Sequence, residues 1–295
     1  MASAYIWAEK NQFELKILWS SSDVLNCPPR MLFHSDFVNS YFLDASNVYE
    51  DFLKRRSEEF YFDAKEKALF VAGGHLGEQA QLANIQKHIK EGNEEKAIVL
   101  KAGGLFHECF SPKCPDCSNF QLMRSIVYEK MGVSNQVKNE ISQIQAALKS
   151  SYLAIHVRTT DFSRDKRVSL KRLERELLKT VSRFSDTNQI YICGDSPEEI
   201  IELGLRLEER GLEVIKRHQI DFRRQSESNT RSALTDFWIL SSAKAIVFSN
   251  HSSFAYEAAV LGGTVKDSRG LNAHFPKLIK FIDRNQYRIA RLISK

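Results

Sequence analysis

Arginine, histidine, serine and aspartate gather at three places where a short apolar run gives way to a polar turn. The first is Ile155-His156-Val157-Arg158-Thr159-Thr160-Asp161-Phe162. A guanidinium in such a turn forms a two-pronged, charge-assisted hydrogen bond to a diphosphate, a geometry that lysine does not reproduce. Asp161 is placed to fix the turn or to hold Arg158 in its rotamer. The second place is Gly194-Asp195-Ser196, and the third is Ser249-Asn250-His251-Ser252-Ser253-Phe254. Each of these two leads into a helix, where hydroxyls and unsatisfied backbone N–H groups attract anions. Taken singly, each residue has a plain structural explanation. Ser196 alone is an N-cap, His156 a satisfied core histidine, and Arg158 an exposed loop arginine. Their joint occurrence at three strand ends is what points to a phosphate-bearing ligand.

The elements that must position these residues are legible in the second half. Tyr152–Val157 is a short apolar run, as expected of a buried parallel strand. Leu170, Leu173, Leu177, Val181 and Phe184 form a helical stripe. Gln189–Cys193 is a second strand. A helix follows with Ser196 as N-cap, Pro197 at its first position, Glu199 closing a capping box and Gly211 after its last turn. Leu212–Lys216 is a third strand, Ser232–Ala243 a third helix, Lys244–Ser249 a fourth strand, and Ser253–Leu261 a short helix stopped by Gly262-Gly263. Strands alternating with helices predict a doubly wound parallel sheet, and in such sheets ligands bind beyond the carboxyl ends of the strands. The first half is less regular: a helix over Ala2–Glu9, strand-like segments at Glu14–Trp19, Ala68–Ala72 and Ala97–Leu100, and a helix over Gln136–Leu148. A domain boundary is expected at 148/149.

These residues resemble a known family. His156-Val157-Arg158-Thr159-Thr160-Asp161 looks like the HxRxxD signature of the fucosyltransferase superfamily, which includes α1,2- and α1,6-fucosyltransferases, the nodulation fucosyltransferases and the protein O-fucosyltransferases. Asp236, Leu240-Ser241 and Ser252-Ser253-Phe254 are similar to its D-x-x-x-L-S … S-S-F stretch, and Ile190–Asp195 sits where the family has its middle motif. Trp19, Cys27-Pro28 and Leu32-Phe33, after an Ala-Ser-Ala helix, echo it in the first half. The resemblance implies a GT-B-like α/β fold of two Rossmann-like domains, with residues 1–148 on the acceptor side and 149–295 binding the nucleotide sugar. It implies an inverting, metal-independent transfer of fucose from GDP-fucose to a glycan or other hydroxyl acceptor. By position, Arg158 would bind the β-phosphate and stabilise the leaving diphosphate. His156 and Asp161 would shape that loop, Asp195 and Asp236 would serve the guanine or ribose, and Ser252, Ser253 and Phe254 the phosphates and base. Two departures stand out. Thr159 replaces a second arginine, which Arg164 or Arg167 would have to supply. The family's Gly-x-Gly-Asn loop precedes the Ala-Ser-Ala helix, which here begins at Met1, so the sequence alone predicts nucleotide binding with poor turnover. The rival readings are a non-catalytic descendant that binds nucleotide or carbohydrate, and a phosphate-binding α/β protein unrelated to sugar transfer.

The bulk numbers exclude other classes. The chain has 295 residues, 43% hydrophobic and 27% charged, within the normal range for a globular protein of one or two domains. There is no apolar run of about eighteen residues and no secretory signal pattern at the start, so a cytoplasmic protein with no transmembrane segment is expected. Between Arg158 and Arg183 nine Lys/Arg face four Asp/Glu, an excess of five that equals the net charge of +5 of the whole chain. A local basic field suits an anionic small molecule. No nucleic-acid motif accompanies it, so no nucleic-acid partner is expected. The cysteine count of five is odd, which argues against a full disulfide framework. His107, Cys109, Cys114 and Cys117 have ligand types for structural zinc but no second CxxC, and read better as loop thiols. Cys27 and Cys193 read as buried hydrophobes.

Overall fold

A computed structural model describes residues 1–19, 27–43, 60–63, 68–72, 85, 87, 97–101, 115–158, 168–216, 226–249 and 252–271. The chain divides into two compact units, Met1–Ser20 with Phe33–Gly132 and Ser21–Leu32 with Val133–Lys295.

The first unit contains helices α1 (Ala2–Lys10), α2 (Ser35–Tyr41) and α3 (Pro115–Met131). Strands β1 (Ile17–Leu18) and β2 (Phe42–Leu43) form a parallel pair. Strands β3 (Phe60–Asp63), β4 (Ala68–Ala72) and β5 (Ala97–Lys101) form a second sheet in that order. β3 runs antiparallel to β4 and β4 parallel to β5, so this sheet is mixed. Aromatic side chains hold the region around α2. Phe33 stacks on Phe42 with centroids 5.8 Å apart, and Phe37 lies 4.7 Å from Tyr41. The three helices share a polar clip: the Lys130 ammonium donates to the Tyr5 hydroxyl, which shares a 3.4 Å hydrogen bond with Tyr41. The hydrogen bonds from Tyr5 and Lys130 hold the Tyr41 phenol below its usual range. α3 occupies a stretch read from sequence as part of a cysteine-bearing loop. Cys117 falls in its first turn, while His107, Cys109 and Cys114 lie outside the described residues, as do Gly73-Gly74 and Gly103-Gly104.

The second unit is the regular one. Five parallel strands, β6 (Leu153–Val157), β7 (Gln189–Gly194), β8 (Glu213–Lys216), β9 (Ile246–Ser249) and β10 (Arg269–Leu271), take the order β10-β9-β6-β7-β8. Helices α4 (Asn135–Gln145), α5 (Leu170–Arg183), α6 (Pro197–Glu208), α7 (Glu227–Ser241) and α8 (Ser253–Leu261) accompany them. The chain divides between Gly132 and Val133, ahead of the expected 148/149, because α4 packs on α7 within this unit. The Glu140 carboxylate there accepts from Arg231 Nε at 2.6 Å and from Thr235 Oγ1 at 2.9 Å.

β6 is buried along its whole length, the reason its sequence is largely apolar, with His156 its one polar residue. One face of the sheet carries Leu153, Ile155, Val157, Ile190, Ile192 and Val247, which pack with Leu173 and Leu177 of α5 and Ile200, Leu203 and Leu207 of α6. The opposite face meets α7 and α8. There Tyr152 donates its hydroxyl proton to the Ile239 carbonyl at 2.6 Å, and burial pushes this phenol up to about 12. Cys27 and Cys193 are buried thiols, and burial raises Cys27 to about 11.

Gly194 ends β7 where a side chain has no room: a Cβ there would lie 2.1 Å from the Val157 carbonyl oxygen. That closeness lets the Asp195 N–H reach the same oxygen at 3.1 Å. Gly194→Ala must therefore push the ends of β6 and β7 apart. Urea denaturation should show a loss of about 1–3 kcal/mol, the usual cost of overpacking.

Candidate functional site

The crevice is set by topology. β6 leads through α5 to β7, and β7 through α6 to β8, on one face of the sheet; α7 and α8 return on the other face to β9 and β10. The direction of winding thus reverses between β6 and β9. At such a point the carboxyl ends of two neighbouring strands open away from each other, and ligands bind there. β6 and β9 are hydrogen-bonded neighbours, with Ile155 opposite Val247 and His156 opposite Phe248. The first and third polar turns of the sequence analysis therefore meet at one point.

His156 is 7% exposed and points to the α7–α8 face. Its Nδ1 shares a 3.2 Å hydrogen bond with Ser252 Oγ, and its ring lies over Phe254 with centroids 5.2 Å apart. Phe254 in turn meets Phe237 edge-on at 5.6 Å. Ser252 is fully buried and is the N-cap of α8, where its Oγ accepts from the Ala255 N–H at 3.3 Å. Its own N–H donates to the Ser249 carbonyl at 2.8 Å, closing a tight turn at the end of β9. His156, Ser252, Phe254 and Phe237 are thus a packed latch that ties β6 to the start of α8. Nothing in the sequence alone singled out Phe237. Its position one residue after Asp236 and its burial facing α8 are the signals that α7 has a core side there.

Arg158 is the first residue beyond β6 and is half-buried at the crevice. Ser253 is exposed at the first position of α8. After Ser252 has capped Ala255, the Ser253 and Phe254 N–H groups remain without intrahelical acceptors, as at every helix start. A guanidinium near an open helix N-terminus can make an anion seat.

The other sequence-derived residues are distributed differently. Asp195 follows β7 and is half-buried, with its N–H on Val157. Ser196 is the expected N-cap of α6, accepting from the Glu199 N–H at 3.4 Å. Of the capping box the structure shows only this half, and the buried Glu199 Oε2 has no hydrogen-bond partner. Asp236 is 6% exposed, and its Oδ1 accepts from the buried Tyr191 hydroxyl at 2.7 Å. That bond joins α7 to the middle of β7. Asp161, Thr159, Arg164, Arg167, Asn250 and His251 lie outside the described residues. No group of three or more His, Cys, Asp or Glu suited to a metal ion occurs among the described residues. None of the described helices is long and apolar enough to cross a membrane.

No protein-family model matches the chain, and no curated protein matches it either. Solved structures do. The NodZ α-1,6-fucosyltransferase soaked with GDP-fucose superposes with a TM-score of 0.54 at 15% identity, covering 88% of this chain and 86% of that one. POFUT1 in complex with GDP gives 0.53 at 12% identity, with 90% of each chain covered. A mutant of Arabidopsis thaliana FUT1 in complex with GDP gives 0.62 at 14% identity, over 89% of this chain and 65% of that one. At these identities the likeness establishes architecture. The chain has the α/β, GT-B-like fold of these fucosyltransferases.

The latch has a measurable share in stability. Ser252→Ala removes a helix cap and the hydrogen-bond partner of a buried imidazole. Chemical denaturation should show a loss of about 1–2 kcal/mol for the cap, with a further loss for the His156–Ser252 hydrogen bond.

Proposed function

We propose that this protein is a fucosyltransferase that takes GDP-fucose as donor and a glycan or other hydroxyl-bearing molecule as acceptor. The observation that carries this reading is the latch of His156, Ser252 and Phe254 at the point where the sheet reverses its winding, with Arg158 following β6 directly. The fold is shared with enzymes solved with GDP or GDP-fucose, which supports the donor. The HxRxxD and S-S-F motifs fall on the two strand ends that form the crevice, which supports the site.

In this reading the second unit binds the nucleotide sugar and the first faces the acceptor. The acceptor oxygen attacks the anomeric carbon from the face opposite the diphosphate and gives up its proton to water, the bond from that carbon to the β-phosphate oxygen breaks with its electron pair staying on that oxygen, and GDP leaves a product of inverted configuration. Negative charge grows on the diphosphate as that bond lengthens. A guanidinium already held in place stabilises it without reorganisation, the kind of electrostatic term that contributes most to catalysis. His156 does not reach the ligand with its Nδ1, which is engaged by Ser252, so its part is to hold the strand end that carries Arg158. Asp195, Ser253 and Phe254 line the nucleotide. Asp236 contributes through Tyr191, by fixing α7 on the sheet.

Two measurements test the reading. Thermal-shift assays with EDTA present throughout should show stabilisation by GDP and GDP-fucose and none by UDP-glucose, since a ligand that binds the native state raises its stability by mass action. Equal stabilisation by UDP-glucose would remove fucose as the donor sugar, and a requirement for Mn²⁺ or Mg²⁺ would remove the metal-independent mechanism. Arg158→Lys should fold normally and weaken GDP binding by about 1.5–3 kcal/mol, the scale of a charge-assisted hydrogen bond. Unchanged affinity in calorimetry would show that Arg158 is not the phosphate ligand.

A further inference from the structure

The hydroxyl of Ser252, the serine whose motif points to phosphate, is committed twice over, to the cap of α8 and to His156. The turn it belongs to contains another serine in the opposite situation. Ser249, the last residue of β9, is 2% exposed, and its Oγ has no hydrogen-bond partner. A buried hydroxyl left without a partner is a cost that native structures carry rarely, and each instance calls for an explanation.

Its location supplies one. Side chains alternate along a strand, so Ser249 shares a face with Val247, whose neighbours are the core residues beneath α5 and α6. The register that sets His156 opposite Phe248 brings Ser249 level with Val157 in the next step, and Leu271 of β10 flanks it on the other side. Both flanking residues belong to the same apolar cluster, together with Val168, two residues before α5 begins. Ser249 is therefore the polar cap of that cluster at the carboxyl edge of the sheet, on the face where α5 starts. The start of α5 is itself open. Its N-cap Ser169 makes no side-chain cap bond, and the Arg172 and Leu173 N–H groups both go to the Ser169 carbonyl, at 2.9 and 3.1 Å. The Leu170 and Lys171 N–H groups have no acceptor among the described residues. The described residues on this side of the sheet thus include a buried, unpartnered hydroxyl, able to donate, and a helix start whose first N–H groups have no acceptor among the described residues.

We infer that Ser249 and the start of α5 form a second phosphoryl seat, in which the Ser249 hydroxyl donates to a phosphoryl oxygen of a bound nucleoside diphosphate. The inference rests on the proposed nucleotide reading of the crevice and adds to it a grip from the α5 face, across β6 and β9 from the start of α8. A phosphoryl oxygen is purely an acceptor, the complement of what this face offers. Ser253, by contrast, is exposed, so water satisfies its hydroxyl.

The test is calorimetry on the full chain with GDP and with guanosine, for the unmodified protein and for Ser249→Ala, alongside a melting curve of each without ligand. Ser249→Ala should melt at or above the unmodified protein, because it discards an unsatisfied buried hydroxyl. Its affinity for GDP should fall about tenfold or more, the equivalent of one hydrogen bond to a charged group, while its affinity for guanosine stays the same. Unchanged affinity for GDP overturns the inference and leaves the proposed function standing. Parallel losses for GDP and guanosine overturn it as well, because they indicate a general loosening of the site. Failure of the unmodified chain to bind GDP overturns both. Where Ser249→Ala does not fold, the near-isosteric Ser249→Cys, a weak donor, gives the same comparison.

Discussion

The pairing of β6 with β9 is the constraint on which the rest of the second unit depends. These two strands are neighbours in space and far apart in sequence, and the helices that follow them leave on opposite faces of the sheet. Every other polar arrangement at the carboxyl edge is a consequence. Because α8 departs on one face, Ser252 can cap it and still reach back to His156. Because α5 departs on the other, Arg158 leaves β6 at the gap between them. An apolar sheet interior with no alternation makes this pairing strong, which concentrates the unsatisfied groups of the fold at its rim.

Polar groups inside this unit divide into those that hold the fold and those left over. Tyr191 with Asp236, Tyr152 with the Ile239 carbonyl, and Glu140 with Arg231 and Thr235 are mutual arrangements between elements, and each joins a strand or a helix to α7. α7 carries much of the internal polar bonding. Ser249 stands apart from this set, buried with no hydrogen-bond partner for its Oγ.

Legibility from sequence followed how each element is held. β6, β7 and β9 are buried on both faces, so their composition alone marks them, and the capped starts of α6 and α8 lie where Ser196 and Ser252 put them. α7 begins at Glu227 rather than at the expected Ser232, because its cap is Ser226, whose Oγ accepts from the Asn229 N–H. α3 was hidden because its buried stripe of Phe120, Val127 and Met131 includes the buried Arg124, while Leu122, Met123 and Ile126 are exposed and blur the period. β10 has a single buried residue, Leu271, and owes its existence to pairing with β9, which no local pattern announces. At the site, His156, Ser252 and Phe254 meet, but the spacing did not reveal that the Ser252 hydroxyl and the Asp236 carboxylate are spent on internal bonds.

The chain crosses between the two units three times, since Ser21–Leu32 belongs with Val133–Lys295 while the residues on either side of it belong to the first unit. This short piece is held by Ser134, which donates its hydroxyl proton to the Met31 carbonyl at 2.8 Å and its N–H to the Leu32 carbonyl at 2.9 Å. During synthesis the piece emerges about a hundred residues before its partners, at ribosomal rates a wait of roughly 5–20 seconds. The second unit therefore cannot mature as an independent C-terminal module; its completion is coupled to an early segment that the nascent chain must keep available.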